Sequence, residues 1–121
     1  MPRVSKNKIS EEVREKILHA LFLSFARIHD NRSISELFEN LLTSTERIMI
    51  AKRLAAALLL IRCYEYRGIC SLLKMSHVTV NQVKREIEKG GKGYQLAAHL
   101  VGRDSGVESI LKKIDRFLSH S

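Results

Sequence analysis

Ten consecutive residues, Ser76 to Arg85, contain Ser76, His77, Val78, Thr79, Asn81, Gln82, Lys84 and Arg85 and no carboxylate. Asn and Gln carry paired donor and acceptor groups that can grip an adenine edge. Val78 can meet a thymine methyl, and Lys84 and Arg85 can reach phosphates. With Arg67 and Lys74 just upstream, these residue types suit recognition of a base-paired polyanion. They do not suit bond breaking. Catalysis needs a nucleophile, a base and an orienting acid as a set, and His19, His29, His99 and His120 are scattered with no such set around them. The chain is therefore expected not to be an enzyme.

Two other arrangements point to weaker chemistry. Cys63, Cys70 and His77 recur every seven residues, but the cysteines fall on different expected helices and no fourth ligand stands at a recognisable spacing. No metal and no cofactor is expected. Gly90, Gly91 and Gly93 follow no strand, so they read as a helix stop and not as a phosphate loop.

The elements that must position this segment are helical throughout. Val13, Ile17, Leu18, Leu21, Phe22, Phe25 and Ile28 recur at helical spacing behind Ser10, which predicts a helix over about 11 to 29. Ser33 with Glu36 forms a capping-box pattern that opens a short helix through Leu42. Thr43 with Glu46 repeats the pattern before a long helix of about 44 to 64. Leu58 to Ile61 make that helix apolar nearly all round, so it must be buried, in part by a second subunit. Tyr66 to Ile87 divides into two short helices around Lys74, Met75 and Ser76, the layout of a helix-turn-helix. If Val80, Val83 and Ile87 face inward, the period turns His77, Val78, Asn81, Gln82 and Arg85 outward, with Ser76 as N-cap. Lys74 occupies the turn position where a glycine with positive φ is common.

A final helix of about 107 to 118 is expected behind Ser105 and Glu108, with an apolar face of Val107, Ile110, Leu111, Ile114, Phe117 and Leu118. Its near-neutral charge marks it as an accessory element, dispensable for contact with nucleic acid. The expected fold class is all-α with about six helices. The expected parts are a basic arm over 1–9, a helix-turn-helix domain over 10–92 and an extension over 93–121.

The 121 residues carry a net charge of +8. Over residues 34 to 65, Arg47, Lys52, Arg53 and Arg62 cancel Glu36, Glu39, Glu46 and Glu65. Arg67, Lys74, Lys84, Arg85, Lys89 and Lys92 outweigh Glu86 and Glu88, and Arg3, Lys6 and Lys8 make the arm basic. Such a distribution points to a polyanion. The longest apolar run, Leu54 to Ile61, is far short of the ~20 residues that cross a bilayer, and residues 1 to 10 lack a signal-peptide core. A cytoplasmic protein with reduced cysteines and no membrane partner is expected. Tyr64, Tyr66 and Tyr94 flank the basic segment and could stack on single-stranded bases, so an RNA-binding reading stands beside the duplex one. A third reading is an interaction protein that docks a partner through its last helix.

The segment NLLTSTER, Asn40 to Arg47, then Arg53, then the helix-turn-helix ending in TVNQVKREIEKGG resemble the Trp repressor superfamily over about residues 10 to 92. The closest likeness is to its shorter Trp repressor-like branch. The resemblance implies double-stranded DNA as partner and an intertwined helical homodimer whose two recognition helices address successive major grooves. In tryptophan-binding members the corepressor rests on a leucine-threonine segment between two arginines. The resemblance places Leu42, Thr43 and Arg53 in such an effector pocket. Gln82 stands where the second arginine would be, and Glu86 replaces a small hydroxyl residue. Weak binding of tryptophan, or none, is the expectation.

Overall fold

The computed structural model describes residues 8–102 and 104–119, all of its regular structure helical. Arg3, Lys6 and Arg103 lie outside the described residues, as do the side chains of Ile110, Lys113, Ile114, Phe117 and Leu118. Two compact units divide between Thr43 and Ser44.

The first unit holds α1 (Glu11–Arg27) and α2 (Asn31–Leu41). Ser10 caps α1 as expected, its Oγ accepting from the Val13 amide at 3.2 Å. The helix stops two residues before the expected end because Ile28 is extended (φ −88°, ψ 126°). The start of α2 departs further from expectation. Its cap is Asp30, whose carboxylate accepts from the Ser33 amide at 2.8 Å, and that bond holds the Asp30 carboxyl below its ordinary pKa. Ser33 therefore lies inside the first turn, and Glu36 pairs with Arg32 at 3.4 Å. Phe25 and Phe38 meet with ring centroids 5.3 Å apart, yet neither helix buries a residue. Val13, Ile17 and Phe22 are all about half exposed or more.

The second unit holds α3 (Ser44–Ile61), α4 (Tyr66–Leu73), α5 (His77–Glu88), α6 (Lys92–Val101) and α7 (Ser105–Ser119). The long α3 is its spine and packs against α4, α5 and α6, while α7 packs on α4. Ala56, Ala57 and Leu59 of α3 meet Ile69 and Cys70 of α4, Val80 and Val83 of α5, and Leu111 of α7 in one core. The small alanines let the shorter helices approach the spine closely. α3 ends three residues before the expected boundary. Cys63 takes a left-handed conformation (φ 66°), and its amide and that of Tyr64 return to the Leu60 and Leu59 carbonyls, both at 3.0 Å. This is the Schellman closure that usually calls for glycine.

Seven helices are present among the described residues, against an expectation of about six. The additional helix is α6, which the sequence reading ended at the glycines. Gly90 and Gly91 do stop α5, and at Gly91 (φ 51°) a Cβ would come within 2.9 Å of the Ile87 Cα. Gly93, however, sits in the first turn of α6. Tyr94, Ala97, Ala98 and Val101 then give that helix a half-buried stripe at helical spacing.

α7 begins two residues before the expected start and is capped by Asp104, not Ser105. The Asp104 Oδ1 accepts from the amides of Gly106 at 2.9 Å and Val107 at 3.1 Å. Arg62 Nη2 ties the helix to the spine by donating to Glu108 at 2.8 Å and to the Gly102 carbonyl at 3.1 Å. Tyr64 donates to Asp115; burial and that carboxylate push the phenol pKa up to about 12. Among the described residues no helix is long and apolar enough to cross a membrane.

Candidate nucleic-acid interface

α4 and α5 form a helix-turn-helix around Lys74, Met75 and Ser76. Ile69 and Val80 are fully buried and Val83 nearly so, which locks the two helices onto α3 through the apolar positions read from the sequence. Lys74 adopts the left-handed conformation (φ 53°, ψ 49°) without being glycine. The Met75 amide closes back on the Cys70 carbonyl at 3.1 Å, and Lys52 Nζ of α3 donates to the Lys74 carbonyl at 3.4 Å. The turn is thus made by a lysine whose strain is offset by its neighbours. Replacing Lys74 with Gly relieves the left-handed strain but adds unfolded-state entropy, terms of about 1 kcal/mol that oppose one another. Lys74→Gly should leave the urea midpoint nearly unchanged while weakening duplex binding. A large loss of stability would show that the lysine side chain itself holds the turn.

Ser76 caps α5 as expected, its Oγ accepting from the Thr79 amide at 3.1 Å and lying 2.9 Å from the Thr79 Oγ1. Val78 is 69% exposed in the first turn of the helix, and Arg67, Lys84 and Arg85 are exposed as well. Asn81 faces Arg85 one turn on. With its amide oxygen directed at the guanidinium it accepts from Nη2 at 2.8 Å and Nε at 3.2 Å, which leaves the amide N–H groups as the outward donors. In that orientation Asn81 keeps its amide N–H groups to donate.

Two residues expected to face outward are exposed and also meet neighbours. The His77 ring leans on the Tyr66 ring at 5.5 Å between centroids, and its Nδ1 lies 3.8 Å from the Cys70 Sγ. Tyr66 also donates its hydroxyl to the His77 carbonyl. His77 is thus exposed, with its ring resting against α4. Gln82, although exposed, borders a recess of about 430 Å³ with Arg53, Thr79, Val83, Glu86 and Tyr94. Tyr94, one of the three tyrosines read as flanking the basic segment, lines this recess from α6.

Leu42 and Thr43 belong to the first unit and Arg53 to the second. The recess around Arg53 carries Glu86 on its wall, a charge that opposes a ligand carboxylate. Tyr64, Tyr66 and Tyr94 all pack partly buried against the core. Cys63 lies in the turn after α3 and not in a helix, Cys70 is buried in α4, and burial raises the Cys70 thiol pKa. Among the described residues no group of His, Cys, Asp and Glu is placed to hold a metal.

No match was found among curated proteins or among solved structures. The family model of the Trp repressor protein matches residues 16–99, a span from α1 through the helix-turn-helix into α6. Since that match takes in well over half of the chain, the protein belongs to the Trp repressor family.

Proposed function

We propose that the protein is a sequence-specific regulator of transcription that binds double-stranded DNA by laying α5 in the major groove. The observation that supports this most is the exposed front of α5. Val78 and Arg85 are exposed there, with Asn81 half-buried between them, on a helix whose opposite face, Val80 and Val83, is locked into the core. A helix so anchored can present side chains to base edges with little freedom to lose. Arg67, Lys74, Ser76, Thr79 and Lys84 flank that front and suit sugar-phosphate contact, and Gln82 and His77 stand at its two edges.

A homodimer belongs to this reading. The α1 stripe of Val13, Ile17 and Phe22 and the exposed Ile48, Met49, Ile50 and Leu54 of α3 form more uncovered apolar surface than a monomer leaves in water. Light scattering at micromolar protein should give twice the 13.8 kDa of one chain, and a monomer mass contradicts the dimer. Free tryptophan should bind weakly or not at all, with Gln82 and Glu86 at the recess. Calorimetry showing micromolar affinity overturns that expectation.

Selection from random duplex DNA tests the whole reading. Two recognition helices related by a two-fold axis should recover a near-palindromic site with half-sites about one helical turn apart. Recovery of no common sequence contradicts base readout.

A further inference from the structure

Lys52, Arg53 and Lys74 surround a cleft of about 160 Å³ between α3 and the helix-turn-helix turn, together with the hydroxyls of Ser76 and Thr79 and the side chains of Met49 and Met75. Among the described residues no carboxylate lines it. By chain position, Lys52 and Arg53 sit in a stretch whose charges cancel; in space they line one cleft with Lys74. The volume lies below the range of about 300–1,000 Å³ that encloses a whole small molecule, so the cleft fits an anionic group that projects from something larger.

Resting on the DNA-binding reading above, we propose that this cleft seats one backbone phosphate of the duplex, with Lys52 and Arg53 of α3 as contacts beyond the helix-turn-helix itself. Lys52 uses one of its three ammonium hydrogens on the Lys74 carbonyl, which holds the charge at the cleft and leaves two donors for phosphate oxygens. Ser76 and Thr79 share one hydroxyl hydrogen between them at 2.9 Å, so one O–H remains to donate. The cleft adjoins the first turn of α5, where a fixed phosphate sets the register of the reading face on the bases. It thus makes the spine of the second unit part of the DNA surface.

The test is the salt dependence of duplex binding by the full chain and by Lys52→Gln and Lys52→Arg, with thermal melting of each as a folding control. Lys52→Gln should weaken preferred and unrelated duplexes by the same factor. It should also lower the magnitude of the log-log salt slope by about 0.9 for each phosphate lost, roughly twice that for the two clefts of a dimer. Lys52→Arg keeps the charge and should keep the slope. An unchanged slope in a Lys52→Gln protein that melts like the parent overturns the phosphate seat. So does tight binding of inorganic phosphate alone, followed by the amide resonances of residues 74–79, if the duplex slope is unaffected; the cleft then serves a free anion. These failures differ from failure of the DNA reading itself, in which the parent protein binds no duplex at any salt.

Discussion

Leu111→Ala should destabilise the protein by about 2–3 kcal/mol, in the lower part of the range for leucine truncation in a core. Leu111 is only 6% exposed and shares the core with Leu59, Ile69 and Val80. Its surroundings place the cost low in the range. An apolar groove of about 240 Å³ already runs between α3 and α7 past Leu54, Leu58, Val107 and Leu111, so the truncated site opens onto existing space instead of sealing a new void. Urea unfolding at fixed protomer concentration should show a lower midpoint and an unchanged slope. A change under about 0.5 kcal/mol contradicts the place of α7 in the core. By the same argument, truncation after Gly93 removes Tyr94 and Leu111 from the packing, so that experiment measures folding before it measures DNA contact.

Asn81→Ala should cost about 1–3 kcal/mol on the preferred duplex, with little effect on unrelated DNA. With its amide oxygen turned to Arg85, its N–H groups are left to donate. Arg85→Ala should therefore also degrade discrimination, by freeing the Asn81 amide to rotate, and the double replacement should cost less than the sum of the singles. Gln82→Ala should relax discrimination at one base pair per half-site. Lys84→Ala should weaken all duplexes alike, because a cation on a phosphate carries no sequence information. Strict additivity of Asn81→Ala and Arg85→Ala contradicts the pairing, and equal uniform losses from Asn81→Ala and Lys84→Ala contradict the division of roles.

Much of this was legible in the sequence because each helix carried its own periodic apolar stripe. Val80 and Val83 could be placed inward and Val78 outward from spacing alone, and Ser76 could be named as the cap from its position before them. Boundaries were less legible where an unexpected residue supplied the special geometry. Cys63 and Lys74 are left-handed without being glycine, and Asp30 and Asp104 cap helices that other nearby residues also suited. Gly93 concealed α6 because a glycine inside a first turn looks the same in sequence as one that ends a helix. Charge counted along the chain could not show that Lys52 and Arg53 share a cleft with Lys74, since that depends on how α3 packs against the turn. Nor could spacing show that His77 leans on Tyr66, because ring packing is decided between helices and not within one.

The most direct test of the account is to measure binding of the full chain to duplex DNA, duplex RNA and single strands side by side across a range of salt. The account predicts that duplex DNA carrying the selected site binds tightest, with an affinity that falls steeply as salt rises and a preference over unrelated duplexes that is lost in Asn81→Ala. Equal or tighter binding to single-stranded RNA, unaffected by Asn81→Ala and abolished by Tyr66→Ala, would contradict it.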